Sequence, residues 1–316
     1  MTSGPPNAFF SAFAFIGFII ALIPFRWHYR AGNVGLCIFM AWAVIGCLNG
    51  FVNSLVWNKS ITNTAPVWCD ISTRIMIAGG VSYEAATVCI ALQLYVKLSK
   101  AGWSRRKEVW VNIAIGVGIP LLEVTLSYLV LGNRFNIFED IGCYPAILNT
   151  PLTYVLVYSW PLIVLIATGI LGALTIRHHI LNCRLHPTYD PRLLSSQRSV
   201  WRRQLSLSLS YALITIPLTA WTMAHDLTAP DLGFTAHWHA RLPTVNQFSA
   251  AEWHEDAYVA LTMETSRWQH VLNALTAFVM FGVLEEGPGE YRRVFRALWA
   301  RMRRAGDSGS DECLER

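Results

Sequence analysis

The sequence predicts an all-α integral membrane protein, a bundle of seven membrane-crossing helices, and three observations carry that prediction. Of its 316 residues 53% are hydrophobic and only 14% charged, against roughly 25% charged in an ordinary soluble domain. Seven long runs with few or no charges follow one another along the chain, each near the roughly 20 residues that a helix needs to cross about 30 Å of hydrocarbon. Lysine and arginine fall almost entirely on alternate connections between those runs.

The runs are 7–25, 34–57, 71–96, 109–131, 151–176, 204–224 and 268–284, of 19, 24, 26, 23, 26, 21 and 17 residues. Within hydrocarbon each backbone N–H and C=O must be satisfied inside the segment, so runs of this length are helices rather than lone strands. The connections after the first, third and fifth runs, with the tail, hold 20 of the 25 Lys and Arg. The opposite connections hold 4, and Arg74 lies within the third run. The expected threading has the N-terminus outside and the C-terminus in the cytosol. No basic residue precedes the first run while Arg26 and Arg30 follow it, which reads as a retained helix rather than a secretory signal.

Residues 1–284 are expected to form the membrane domain and 285–316 a cytoplasmic tail. Gly287, Pro288 and Gly289 break the seventh helix, after which Val294, Phe295, Leu298, Trp299 and Met302 recur at helical spacing among arginines. This pattern suits a short amphipathic helix on the membrane surface. Cys313 is followed by Leu314, Glu315 and Arg316, which lacks the aliphatic character of a prenylation box.

Of seven cysteines only Cys69 and Cys143 fall on the expected oxidising side, so they are the natural disulfide pair. Asn58, Lys59 and Ser60 form an N-glycosylation sequon that abuts the second span, and poor occupancy is expected there. Arg74, Glu84 and Glu123 are ionisable groups within spans, where such groups are costly and default to functional roles. Arg74 lies a turn below the outer surface and Glu123 about 12 Å below it, close enough for an ion pair bridging helices three and four. Glu84, about 20 Å deep, is expected to face the bundle interior, protonated or bonded to a polar neighbour, as a switch or as packing polarity.

Pro120, Pro161 and Pro217 interrupt spans four, five and six and remove backbone bonds there. Tyr154, Tyr158, Trp160 and Trp221 lie in the outer halves of spans five and six. They line a cavity or form the interfacial aromatic belt, and for each taken alone the belt is favoured. The connection from His225 to Arg267 gathers Asp226, Asp231, Glu252, Glu255, Asp256 and Glu264 beside His237, His239 and His254, a set able to attract cations or respond to pH.

Several functions are excluded or demoted. All four lysines, Lys59, Lys97, Lys100 and Lys107, precede span four, so a retinal Schiff base in the last helix is excluded. Phosphate loop, nucleophile elbow, paired-thiolate and zinc-protease spacings are absent, and the expectation is no enzyme, metal or cofactor. The scattered basic residues form no aromatic-lined groove, which argues against nucleic acid. Related halves around a midplane site, the mark of many transporters, are missing.

The chain resembles the fungal G-protein-coupled receptors for lipidated, a-factor-like mating pheromones. The resemblance rests on PFRWHYRAGNV (Pro24–Val34), FVNSLVW (Phe51–Trp57), APVWCDIS (Ala65–Ser72), GIP (Gly118–Pro120), FNIFEDIGCYPAILNTP (Phe135–Pro151), Trp160 with Pro161, IPL (Ile216–Leu218) and FGVLEEGPGEY (Phe281–Tyr291). It implies a multi-pass plasma-membrane receptor for a farnesylated peptide, acting on a heterotrimeric G protein. Arg74, Glu84, Glu123, Tyr154, Tyr158, Trp160 and Trp221 are then ligand-site expectations. Arg105, Arg106, Lys107, Arg177, Arg202 and Arg203 edge the inner face that would receive the Gα C-terminal helix, although each also serves topology alone. Two departures stand out: Glu84 where the family typically has proline, and Leu92 with Gln93 where it has a basic pair. They raise an alternative, a receptor-like sink or scaffold with lost or altered coupling.

Overall fold

A computed structural model describes residues 7–99, 101–185, 191–228 and 244–283. Among the described residues seven long helices form the bundle: α1 (Asn7–Ala31), α2 (Val34–Val56), α3 (Pro66–Leu98), α4 (Arg105–Ser127), α5 (151–185), α6 (Pro191–Thr228) and α7 (257–283). The first six are long and apolar enough to cross a bilayer. The seventh is more polar, carrying Glu264, Arg267, Gln269 and His270.

Helix α3 is the axis of the bundle. Its apolar stretch is 78% buried, against 17–50% for the other five of membrane length, and it packs on α2, α4, α5 and α6. The main core joins Phe39 and Met40 of α2, Tyr83 and Ile90 of α3, Leu205 of α6, and Val271 and Phe281 of α7. Because lipid is as apolar as these side chains, close packing and interhelical hydrogen bonds hold such helices together. Gly46 shows how close: a Cβ there would run into the His270 ring.

Two prolines leave a visible mark. A proline lacks the N–H that bonds to the carbonyl four residues back, and its ring crowds that carbonyl. Ahead of Pro120 the chain widens into a π-turn at Ala114–Gly118, and ahead of Pro161 into another at Tyr154–Tyr158. Such widening is a known relief for an interrupted ladder. The carbonyl orphaned by Pro120 is that of Gly116, and the Trp42 indole Nε1–H donates to it at 3.0 Å.

The helices differ from the expected spans at their ends. Span four was expected to reach Leu131, but α4 stops at Ser127 and Tyr128–Val130 form a turn, after which Leu131 pairs with Ile147. Helix α7 begins at Ala257 rather than Trp268, so Glu264 and Arg267 belong to the helix, not to a loop. The surface helix expected after Gly289, Cys313, and the residues Asp231, His237 and His239 lie outside the described residues.

A small sheet covers one end of the bundle, which an all-helical reading did not foresee. Strand β1 (Phe135–Phe138) pairs antiparallel with β2 (Gly142–Tyr144) and parallel with β3 (Val245–Phe248). A Cys69–Cys143 disulfide ties β2 to the start of α3. Trp57, Phe135 and Ile137 pack around that bridge, while Phe138, Ile141 and Trp253 form a second cluster under β3. Asp140 and Gly142, both at positive φ, turn the hairpin. Gly142 lies against Asn53 and Trp57, where a Cβ would come within 2.8 Å of Asn53.

Candidate functional site

The capped end is pinned from several helices. Arg134, following α4, donates from Nε to Asp70 of α3 at 2.9 Å, and the carboxylate beside it raises the guanidinium pKa. Asp140 accepts from the Lys59 backbone N–H at 2.9 Å, and its carbonyl accepts from Arg267 of α7. Arg267 itself pairs with Glu264 at 2.6 Å and sits over the Phe10 ring. Glu139 accepts from the Ala250 N–H at 2.7 Å, at the start of a single helical turn, Ala250–Trp253. There Glu252 accepts from the N–H and hydroxyl of Ser249, which lowers its pKa. The exposed Asn58 side chain accepts from Asn7.

Beneath the cap, polar side chains cross the interior. Glu84 is only 2% exposed, and one of its oxygens accepts from the Tyr211 hydroxyl of α6 at 3.4 Å. Gln269 of α7 donates to that hydroxyl at 3.1 Å. The neighbouring Tyr83 meets His270 of α7, hydroxyl to Nδ1, at 2.8 Å. Ser208 of α6 donates to the Thr87 carbonyl at 3.4 Å, and Thr87 meets Thr168 of α5 at 3.2 Å. Helix α3 is thus tied by hydrogen bonds to α5, α6 and α7. The second Glu84 oxygen is buried without a partner among the described residues.

The expected Arg74–Glu123 ion pair does not form. Arg74 instead donates from Nε to the Tyr128 hydroxyl at 3.0 Å, its guanidinium stacked 4.3 Å from that ring centre. Glu123 is 3% exposed and turned inward, one of its oxygens buried without a partner among the described residues. The reason is helical phase. Leu121 and Val124 of α4 share one face with Tyr128 in the turn that follows, and Glu123 lies on another. Arg74 lines an open groove of about 760 Å³ between α3 and α4, together with Trp42, Asp70, Ile75, Ala78 and Leu131.

The aromatic expectations divide. Tyr154 is buried rather than in a belt, its hydroxyl donating to Asn149 at 2.7 Å, with the half-buried Tyr158 ring 5.5 Å away. Trp160 packs on the cluster of Val81, Ala85, Val88 and Val164 between α3 and α5. Trp221 is 52% exposed, beside Tyr258 at 5.8 Å. Of the seven ligand-site expectations only Arg74 lines the groove. Sequence reading passed over Trp42, Tyr83, Tyr211, Gln269 and His270. A histidine and a glutamine adjacent in an apolar run were the available clue.

The opposite end carries the basic residues. Ser104 caps α4 by accepting from the Lys107 N–H at 3.3 Å, placing Arg105, Arg106 and Lys107 on an exposed first turn. Lys107 stacks on Trp103. Arg177 and Arg202 are exposed, and Arg203 is half-buried. Gln93, buried at this end, donates to the Gly32 carbonyl at 2.8 Å. Gly32 has φ of 73°, a conformation that glycine adopts at least cost, in the tight turn between α1 and α2.

A family model described as the pheromone A receptor, STE3, matches residues 9–302. The chain belongs to this pheromone A receptor family. The family's members are receptors rather than enzymes. The chain is 35% identical to the Pheromone B alpha 3 receptor of Schizophyllum commune over 94% of its own length and 48% of that relative. It is 28% identical to Pheromone receptor 1 of Mycosarcoma maydis, covering 92% and 85%. It is 22% identical to the Pheromone a factor receptor of Saccharomyces cerevisiae, covering 89% and 60%. Against the Schizophyllum relatives the chain spans about half their length. In this family member, the groove, the interior polar ties and the basic end are three separate pieces of apparatus along one bundle.

Proposed function

We propose that this chain is a plasma-membrane pheromone receptor that binds a farnesylated mating peptide at its capped end and activates a heterotrimeric G protein at its basic end. The observation that carries the reading is the set of interior ties from α3 to α6, because these must rearrange if α6 swings away from the bundle. The capped end, with its disulfide and sequon, faces the exterior, and the basic end faces the cytosol, in accord with the 20-to-4 distribution of Lys and Arg.

Ligand preference for the open arrangement supplies the signal. Shifting a two-state equilibrium from 1:99 to 99:1 takes about 5.5 kcal/mol of differential affinity. A buried lipid contributes about 0.8 kcal/mol per CH₂, but only through contacts that differ between the two states. Outward movement of α6 breaks the Tyr211–Glu84 and Ser208–Thr87 bonds and uncovers a cleft edged by Arg105, Arg106, Lys107, Arg177, Arg202 and Arg203. A Gα C-terminal helix fits that cleft, and its insertion promotes GDP release. Glu84, Glu123, Tyr154, Tyr158, Trp160 and Trp221 act as the interior and flank of the bundle that senses the peptide, and Arg74 meets the ligand directly.

One observation favours a second reading. Gln93 is committed to the Gly32 carbonyl at a position where the resemblance led us to expect a basic residue, which fits a receptor-like sink with weakened coupling. Expression in a fungal cell lacking its own pheromone receptor, with a pathway reporter and a library of lipidated and unlipidated peptides, separates the readings. Reporter induction by lipidated peptides supports the receptor. Peptide uptake or binding without induction supports the sink, and equal responses to both peptide forms contradict the lipid requirement.

A further inference from the structure

The groove between α3 and α4 is a seat for an apolar chain, and it opens sideways. Asp70, Ile71, Arg74, Ile75 and Ala78 of α3 stand on one helical face, as do Leu121 and Val124 of α4 with Tyr128 in the turn that follows it. From Asp70 to Ala78 the α3 wall runs about 12 Å along the helix. Ile71, Leu121 and Tyr128 are 50%, 57% and 55% exposed, so the open side looks outward from the bundle, toward lipid. The sheet and disulfide cover the capped end above it. Its volume of about 760 Å³ lies within the range of sites that enclose small organic ligands.

We infer that this groove takes the prenyl chain of the peptide ligand from the bilayer, with the carbonyl of the lipid-bearing cysteine against Arg74 and the chain tip at Trp42. The inference rests on the receptor reading above. The chemistry of Arg74 selects the occupant. Its Nε and its flat face are engaged by Tyr128, and Arg134 is already neutralised by Asp70. Arg74 has no carboxylate partner among the described residues, and its Nη1 is buried without an acceptor. A lone guanidinium hydrogen-bonds to an ester or amide carbonyl or to a phosphodiester, and with Arg134 paired to Asp70 the groove lining offers a phosphodiester no second free cation among the described residues.

The floor of the groove adds a route to the rest of the protein. Trp42 lines it and also donates to the Gly116 carbonyl that Pro120 leaves unpaired. A chain tip pressing on the indole therefore acts on the hydrogen bond that Trp42 donates to the distorted turn of α4. Contacts at Trp42 that differ between a bonded and an unbonded Gly116 carbonyl give the chain the differential affinity that a signal needs.

The test uses the full chain in phosphatidylcholine nanodiscs and S-farnesylcysteine methyl ester bearing a diazirine near the chain end, with adducts mapped by mass spectrometry. Adducts are expected within residues 71–78 and 121–131 and on Trp42. Leu121→Trp, which fills the groove from its exposed wall, and Ala78→Leu are each expected to cut labelling at least tenfold. Arg74→Gln is expected to cut it, and Arg74→Lys to restore part. Adducts elsewhere, labelling unmoved by Leu121→Trp, or equal labelling of the same residues by a photoactivatable phosphatidylcholine at matched mole fraction would overturn the inference. The peptide reporter distinguishes the two failures. A labelled groove with no reporter response removes the receptor reading alone, while a full response in Leu121→Trp cells removes the groove alone.

Discussion

Glu84 shows how one side chain can hold a helix in place without an ion pair. Its carboxyl is enclosed by the bundle, and the hydroxyl of Tyr211 reaches it from α6. A hydrogen bond to such a group is worth about 1–3 kcal/mol, and each 1.4 kcal/mol changes a population ratio about tenfold. Tyr211→Phe should therefore raise ligand-independent signalling roughly tenfold in the reporter strain, while Glu84→Gln, which keeps an acceptor for Tyr211, should change it far less. Unchanged basal signalling in Tyr211→Phe at equal surface abundance would contradict the tie. The sequence marked Glu84 as an interior group because it is an acid within an apolar run. It did not mark Tyr211, Gln269 or His270, because polar neutral residues in a span carry no comparable penalty and their partners come from helices distant in the chain. Arg74 and Glu123 illustrate the opposite error. Their depths lay within reach of a long guanidinium stem, but depth does not specify the face of the helix, and the two point apart.

At the scale of elements, six spans are legible because a run of about 20 apolar residues has one structural outcome in lipid. The ends are less legible. Helix α7 extends beyond its apolar run because Arg267 and Glu264 satisfy each other and the cap. The sheet was invisible for another reason: strands of three and four residues leave too little alternation to read, and β3 joins β1 from more than a hundred residues away. Prolines were legible as interruptions, whereas the π-turns that absorb them were not. The Trp42 bond to Gly116 predicts a measurable element. Trp42→Phe removes the donor and leaves the carbonyl unpaired, costing about 1–3 kcal/mol, and hydrogen exchange within residues 114–124 should quicken. In a Pro120→Ala background, where the substituted alanine's own N–H supplies the missing bond, the same Trp42→Phe change should cost less. Equal costs in both backgrounds would show that Trp42 does not serve the interrupted ladder.

For the whole molecule, the cap and the bundle form one unit, joined by Cys69–Cys143, Arg134–Asp70 and Arg267 with Asp140. Losing a disulfide of this kind typically costs about 2–5 kcal/mol in small domains. Cys69→Ser and Cys143→Ser should each impair delivery to the cell surface to the same degree, with the double variant no worse than either, because one bond is lost in every case. Independent, additive defects would mean that the bond does not form in the cell. The threading of the chain then decides which end meets which compartment, and the proposal takes the cap as the outer end from the lysine and arginine asymmetry. The central claim is that ligand chemistry at the capped end changes the basic end. Its most direct measurement is nucleotide exchange on a purified fungal Gα by the full chain in nanodiscs, with the activating peptide identified from the library, prenylated or bare. The prenylated peptide is predicted to speed exchange at least tenfold and the bare peptide to leave it at the basal rate. Exchange that is equal for both, or unchanged by either, would contradict the account.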